Sequence, residues 1–392
     1  MCYTSDMKNK KILLGLSGGV DSAVAAYILK EKGYDVTCAF MRNWDAYANN
    51  DIMGNPTINN DTCPQEDDYY DAQLVADKLG LKLLRVDFVK EYWDNVFTYF
   101  LDEYKKGRTP NPDILCNKYI KFDSFMQFAK ANGFDMVATG HYARVIHNED
   151  GTSTLLRGSD DNKDQTYFLC QISADALNHT LFPIGDIEKP EVRRIAKEEE
   201  LAVATKKDST GICFIGERNF REFLKNYLPA KNGKIIDIDT GNVLGTHIGV
   251  LYYTIGQRKG LGIGGTGGPW FVCGKDVIKN ELYVCAHEDN PYLFSNSCNV
   301  SGVNWFIKDK PKEFINCSAK FRYRQKDNDV RIRFVDDNNL EVEFINEVSS
   351  VTPGQEAVFY DGEVCLGGGV IEEVYKNGKD LQELIRSKAH EE

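Results

Sequence analysis

Residues 11–16 (KILLGL) are an apolar run that breaks into the octet GLSGGVDS at residues 15–22, after which Val24, Tyr27 and Ile28 recur at helical spacing. A strand, a loop of small residues and a helix are predicted in that order. The pattern then repeats: a strand over 36–41, a helix over 66–79 ending before Gly80, and a strand over 81–88. Trp93, Phe97, Phe100, Leu101 and Tyr104 make one stripe of a long helix that stops at Gly107; Phe122, Phe125, Met126 and Ala129 mark another helical face, and 136–139 another buried strand. Strands separated by helices run parallel with right-handed crossovers, so the first part is expected to be an α/β, doubly wound parallel sheet with ligands beyond the carboxyl ends of its strands. Residues 144–146 and 153–156 read as a hairpin appended to that sheet, and a helix over 190–200 closes the domain.

Beyond Glu217 helical stripes become scarce and turn residues such as Asp239, Thr240, Gly241 and Asn242 separate short strands. The length of 392 residues suits two or three domains. The expected division is 1–217 for the α/β domain, 218–285 for a small β-rich domain, and 286–392 for a C-terminal β-barrel with a polar tail. No apolar run approaches the ~20 residues of a membrane span, and the first residues match neither a secretory signal nor a transit peptide, so the cytoplasm is the expected compartment. Eleven cysteines without CxxC or CxxH spacing are expected to be mostly buried thiols, with no metal site implied. At a formal charge of −12 the chain cannot hold nucleic acid by its overall field. Any RNA site must be local, with candidates at Arg193, Arg194 and Lys197, at Lys206 and Lys207, at Arg258 and Lys259, and at Arg322, Arg324, Lys326, Arg331 and Arg333.

Small residues at Gly15, Leu16, Ser17, Gly18, Gly19, Val20, Asp21 and Ser22 let backbone N–H groups turn onto an anion at a helix N-terminus. The octet has neither the Gly-Lys-Ser/Thr ending of a Walker A loop nor GxGxxG spacing. It resembles the SGGxDS loop of ATP-adenylating pyrophosphatases, which implies ATP cleaved to an adenylate; Asp21 then either helps hold Mg²⁺ or caps the helix. In RTPNPDILCNKYIKF (108–122), Asp113 precedes helix-like sequence, which places Cys116 in the first turn with Lys118 and Lys121 nearby. Spacing alone leaves two readings open there: a carboxylate and a reactive sulfur sharing one face, or a capping Asp113 with a buried Cys116. In KKDSTGICFIGER (206–218), Cys213 sits on a polar, glycine-bearing loop, more reachable than strand thiols such as Cys285 and Cys365.

With AFMRNW, EYWDNVF, ATGHYAR, NKDQTYFL, YYTIGQRKGLGIGG and VTPGQEAVFYDGEVCLGGG, these motifs together resemble the bacterial-type tRNA-specific 2-thiouridylases from about residue 11 to about 374. A slightly longer N-terminus and the polar C-terminal extension depart from that pattern. The resemblance implies a PP-loop ATP pyrophosphatase (adenine nucleotide alpha hydrolase-like) sheet. It also implies replacement of the 2-oxygen of the wobble uridine, position 34 of tRNA, by sulfur from a cysteine persulfide, with ATP and Mg²⁺ consumed to AMP and pyrophosphate. By that resemblance the octet, Met41 and Gly140 contact ATP, and Asn111, Pro112 and Asp113 lie against the target base. Cys116 matches the nucleophile and Cys213 the persulfide carrier, the two ending as a disulfide. His141, Lys163, Asp164, Gln165, Arg322, Tyr323 and Gln355 match tRNA-contacting positions. The implied partners are the anticodon loop of tRNA and a cysteine desulfurase or sulfur-relay protein, with no membrane. FRYRQK, read as a strand, puts Arg322 and Arg324 on one face and Tyr323 on the other. Three alternatives stay open at this level: an amide-forming adenylating synthetase, a non-catalytic RNA-binding sulfur carrier, and an iron–sulfur thiolase using Cys63, Cys116 and Cys213.

Overall fold

A computed structural model of the chain describes residues 10–58, 64–208, 211–212, 215–216, 218–264, 267–307 and 314–391. Two compact units emerge: Met1–Phe97, Pro112–Phe223 and Glu363–Leu366 make the first, and Thr98–Asn111, Leu224–Gly362 and Gly367–Glu392 the second.

The first unit carries β1 (Lys11–Gly15), β2 (Asp35–Arg42), β3 (Lys82–Asp87) and β4 (Met136–Ala138) and, after the hairpin of β5 (Ala143–His147) and β6 (Ser153–Arg157), β7 (Thr180–Leu181). Five of these pair in the order β3-β2-β1-β4-β7, all parallel. The chain builds outward from β1 through β2 to β3 and then returns to the other side of β1 with β4 and β7. The order therefore reverses between β1 and β4, where crossover loops diverge and leave a crevice at the carboxyl ends. Register pairs Leu14 with Ala138, so Gly15 and residues 139–140 emerge side by side at that crevice.

Helix α1 (Val20–Glu31) buries Val20, Ala23, Val24, Ala25, Ala26 and Leu29. An apolar surface so broad has to be covered on several sides. Strands β1 and β2, α2 (Pro64–Leu79) and the helix Lys189–Glu198 cover it in one core. Alanines on α1 permit close approach, and each fully buried Val or Leu contributes about 1.5–3 kcal/mol. Gly33, at φ +77, ends α1 as expected.

Two expectations need correcting. The hairpin β5–β6 does not join the five-stranded sheet: it runs antiparallel through Ala143↔Arg157 to His147↔Ser153, and Leu156 pairs with Val364. The helical stripe from Trp93 to Tyr104 is not one regular α-helix, because Trp93–Phe97 is a π turn between Val89–Tyr92 and Thr98–Lys105. The extra residue in that turn lets Tyr92, Val96 and Phe97 all be buried.

In the second unit β8 (Gly233–Asp237), β9 (Val243–His247), β10 (Trp270–Asp276) and β11 (Glu281–Ala286) form a sheet in the order β10-β11-β8-β9. Six further strands, β12 (Phe294–Trp305), β13 (Phe314–Lys320), β14 (Asn328–Phe334), β15 (Leu340–Ser349), β16 (Glu356–Asp361) and β17 (Val364–Lys376, of the second unit from Gly367 onward), close as β12-β15-β14-β13-β16-β17 with β12 pairing β17. The predicted barrel is present. Along β14 and β15, Val330, Ile332, Leu340, Val342 and Phe344 are buried while Arg331, Arg333, Glu341 and Glu343 are exposed, the period-2 pattern of a barrel wall.

Candidate active site

Gly18 adopts φ +75, and a Cβ there would lie 2.2 Å from the Asp68 carbonyl oxygen; one at Gly140 would lie 2.7 Å from the Ser22 nitrogen. Glycine is required at both places because backbone passes where a side chain would stand. A Cβ on Gly15 would touch the Met41 methyl at 3.0 Å, so the octet, Met41 and Gly140 lie together. Inside the loop Ser22 Oγ donates to the Gly19 carbonyl at 3.1 Å and accepts from the Ser17 amide at 3.1 Å. Gly19, at the N-cap of α1, has no side chain to offer the first-turn amides. These donors, together with the positive end of a 12-residue helix, suit a phosphate chain.

Around this loop stands a charge network that sequence spacing did not reveal. Asp21 accepts from Lys189 Nζ at 2.8 and 2.9 Å and from the Tyr142 hydroxyl at 2.7 Å. Lys189 is shared with Asp208 at 2.7 Å, and Asp208 also receives Lys163 at 2.8 Å and Arg193 at 2.5 Å. Lys206 donates to the Gly18 carbonyl at 3.1 Å and pairs with Asp68 and Asp71. Burial pushes the Asp208 carboxyl up, but hydrogen bonds from Lys163 and Lys189 outweigh it and hold the group far below the ordinary carboxylate range. Burial, then the charge of Asp21, pushes the Tyr142 phenol up, so it only donates. Asp21 and Lys189 are 168 residues apart, and only the fold could join them; Asp208 and Lys206 at least stood inside a recognisable motif. The patch formed by Arg193, Arg194 and Lys197 is not a free cationic face, since Arg193 serves Asp208 and Arg194 pairs with Glu191 and Glu198.

Residues 112–131 are one helical run, with an α segment Pro112–Cys116, a π segment Asn117–Ser124 and an α segment Phe125–Ala131. Because the helix starts at Pro112, Asp113 lies inside the first turn rather than capping it. Cys116 is the fifth residue, beyond the first turn where the dipole acts most strongly, which corrects the expected placement. Its side chain is fully buried. Asn117 donates to the Phe168 carbonyl at 2.9 Å and Lys118 to Gln171 at 3.0 Å, which fixes the run around the cysteine. Cys213 lies outside the described residues. Beyond it Arg218 is held on fully buried Asp51 at 2.7 Å, with the Trp44 indole donating to the same carboxylate at 3.0 Å. Cys285 and Cys365 are buried strand thiols, and burial pushes those of Cys38 and Cys317 up to about 12, leaving negligible thiolate at neutral pH.

Of the positions matched to tRNA contacts, Lys163 reaches Asp208, as above. Asp164 spends its carboxylate on the Gly158 and Thr166 amides at 3.1 and 3.2 Å, and the Gln165 side-chain oxygen accepts from the Tyr142 amide at 2.9 Å. In the second unit Gln355 donates to the Thr109 carbonyl at 2.6 Å. Strand β13 ends at Lys320, so Phe321 to Arg324 is a turn and the alternation expected of FRYRQK does not apply. Phe321 is buried, its amide donates to Gln325 Oε1 at 2.8 Å, and the Gln325 amide returns to the Arg322 carbonyl at 3.1 Å; these bonds bend the chain. Arg324 sits over the Tyr323 ring at 5.9 Å rather than on an opposite face. Arg331 and Arg333 face Glu343 and Glu341 across the barrel wall, so that part of the basic stretch is neutralised.

His141 is buried between Thr139, 2.8 Å from Nδ1, and Lys121, 3.4 Å from Nε2. Burial, reinforced by the Lys121 ammonium, drives the imidazolium pKa well below its ordinary 6.5. The folded value is depressed, so the associated stability is present above pH 6.5 and is lost as pH falls through the folded value. His141→Gln is expected to shallow the acid loss of stability between pH 6.5 and 5, by at most about 1.4 kcal/mol per pH unit. Urea midpoints across that range check it; parallel wild-type and variant profiles would contradict it.

Residues 10–217 match the family model described as tRNA methyl transferase HUP domain, 221–286 its PRC-barrel domain, and 295–371 an aminomethyltransferase beta-barrel domain. The chain is 56% identical to the tRNA-specific 2-thiouridylase MnmA of Mycoplasma capricolum over 374 residues, covering 94% of this chain and 100% of that protein. It is 57% identical to the protein of that description from Mesoplasma florum (93% and 99% covered) and 53% identical to that from Oceanobacillus iheyensis (96% and 99%). Among the described residues no helix is long and apolar enough to cross a membrane.

Proposed function

Because the chain belongs to the tRNA-specific 2-thiouridylase family, we propose that it is an ATP-dependent tRNA-uridine 2-sulfurtransferase that activates C2 of the wobble uridine at the crevice between β1 and β4. The observation that carries this reading is the cradle there: two glycine positions filled by neighbouring backbone, at the N-terminus of a helix, beside a lysine-rich network.

A pyrimidine carbonyl oxygen is a poor leaving group. Its attack on the α-phosphate of ATP makes it expellable as AMP, while the loop amides of residues 18–22 take the pyrophosphate. Met41 and Gly140 border the nucleotide. Mg²⁺ would neutralise phosphate charge; Asp21, a carboxylate within the octet and paired with Lys189, would be the residue to hold it. Sulfur is carried as a persulfide on Cys213, charged by a cysteine desulfurase or a sulfur-relay protein. Cys116 thiolate attacks the inner sulfur, forming the Cys116–Cys213 disulfide and releasing hydrosulfide, which adds at C2 as AMP departs; alternatively the terminal sulfur attacks C2 directly and Cys116 resolves the product. Both routes end in the disulfide, which an external thiol reduces. Asp113, with Asn111 and Pro112 against the base, moves the proton. His141, Lys163, Asp164, Gln165, Arg322, Tyr323 and Gln355 are proposed at the tRNA interface, with His141 neutral at pH 7 by the argument above. A reducing cytoplasm suits this cycle.

Incubation with anticodon stem-loop or tRNA, ATP, Mg²⁺ and a persulfide source should yield 2-thiouridine by nucleoside mass spectrometry, with AMP and pyrophosphate in equal amounts. ADP and phosphate as the tRNA-dependent products would sink the adenylation step.

A further inference from the structure

The loop that leads into Asn111 and Asp113 is held by a partly buried ionic fork. In the second unit the helix Thr98–Lys105 ends, Gly107 turns the chain at φ +79, and Arg108 enters between two carboxylates. Its Nε stands 2.5 Å from Glu103, which is 3% exposed; one terminal nitrogen bonds Glu372 and the other donates to the Ile371 carbonyl at 3.2 Å. Glu372 also accepts from Ser301. Burial pushes the Glu372 carboxyl up, but hydrogen bonds from Arg108 and Ser301 outweigh it and hold the group below the ordinary carboxylate value. The next residue is clamped at both backbone groups: the Thr109 amide donates to the Pro353 carbonyl at 3.0 Å, and its carbonyl accepts from Gln355 at 2.6 Å. Gly354, at φ +93, lets the two segments touch, since a Cβ there would lie 2.8 Å from the Thr109 nitrogen.

We propose that Arg108, seated between Glu103 and Glu372, is a positioning residue that sets the orientation of the base-contacting segment beginning at Asn111. This rests on the function proposed above. Replacing a buried ion pair by apolar side chains is often neutral or stabilising, so such a fork is a poor means of gaining stability. What it supplies is direction. A guanidinium presents its donors in one plane, and two carboxylates plus a carbonyl around it leave Arg108 a single seating. Three residues later, at Asn111, begins the segment proposed to lie against the target base, and a misplacement of about 1 Å at a reacting group costs about 10²-fold in rate.

The test uses the full chain with saturating ATP and a defined tRNA, comparing Glu372→Gln and Arg108→Lys. Each should lower kcat for 2-thiouridine by about 10- to 100-fold, with the tRNA Kd and the KM for ATP within twofold of wild type, and should raise the AMP released per thiolated base. Glu372→Gln keeps the shape of the carboxylate while removing its charge, and keeps the test open should Arg108→Lys fail to fold. A weakened tRNA Kd with kcat restored at saturating tRNA would overturn the positioning role in favour of direct contact, and an unchanged kcat would overturn it outright. Failure of the wild-type protein to make 2-thiouridine would instead refute the proposed function.

Discussion

Cys116→Ser is expected to abolish 2-thiouridine formation while the protein stays folded. The serine hydroxyl enters a fully buried site on the 112–131 helical run, which costs about 1–3 kcal/mol on the scale of protein mutational data. That is smaller than the 5–15 kcal/mol typical of a native domain. The chemistry has no such margin, because an alcohol neither attacks a persulfide nor closes a disulfide. Cys285→Ser and Cys365→Ser are the controls: both thiols are as buried as Cys116, so the hydroxyl penalty is similar and activity should persist. Cys213→Ser should be equally inactive, and the two inactive variants should separate in a labelling experiment. With radiolabelled sulfur from a desulfurase, Cys116→Ser should still acquire a reducible label whereas Cys213→Ser should not. Full thiolation by Cys116→Ser would remove it from the mechanism.

Local patterning predicted the parallel strands and α1 because each sits between a breaker and an unbroken period: KILLGL before glycine, and Val24, Tyr27 and Ile28 before Gly33. The barrel wall was equally legible, since Val330, Ile332, Val342 and Phe344 alternate with charged residues on the outside. What failed was context. FRYRQK has the composition of a strand, yet the bonds between Gln325 and residues 321 and 322 bend it into a turn. The π turn at Trp93–Phe97 changes which side chains share a face without altering composition. Asp113 and Cys116 read as a helix start, but a difference of two residues in where the helix begins decides whether a thiol feels the first-turn dipole. Lys189 was invisible as a functional residue for a different reason: it precedes a proline at a helix start, and nothing local marks it as the partner of Asp21. Arg108 stood inside a motif, but its partners Glu103 and Glu372 lie on either side of it in sequence, and only the fold makes a fork of them.

Gly18→Ala is expected to raise the KM for ATP at least about 100-fold or to eliminate nucleotide binding, an effect of about 2.7 kcal/mol or more. Two costs combine at this residue. Its backbone is at φ +75, where an L side chain costs roughly 1–2 kcal/mol. The new methyl would also stand 2.2 Å from the Asp68 carbonyl oxygen and 2.9 Å from its carbon, both backbone atoms of α2, so no rotamer relieves the clash. Either the loop or α2 has to shift. Since Lys206 ties the Gly18 carbonyl to Asp68 and Asp71, a shift also disturbs the cation beside the phosphate cradle. Two companion substitutions separate these causes. Gly19→Ala changes the same loop at φ −99, and its methyl would meet only Ser17 Oγ at 3.5 Å, so the KM for ATP should stay within a few-fold. Gly80→Ala carries the conformational strain alone, at φ +64 with no atom within 4 Å, and should lower stability by about 1 kcal/mol with ATP binding untouched. Steady-state kinetics at varied ATP and isothermal titration with a non-hydrolysable ATP analogue, together with urea midpoints for all three variants, read these quantities. Normal ATP affinity in Gly18→Ala would place the phosphates elsewhere; equal losses in Gly18→Ala and Gly19→Ala would shift the explanation from the backbone clash at Asp68 to a general intolerance of side chains in the loop.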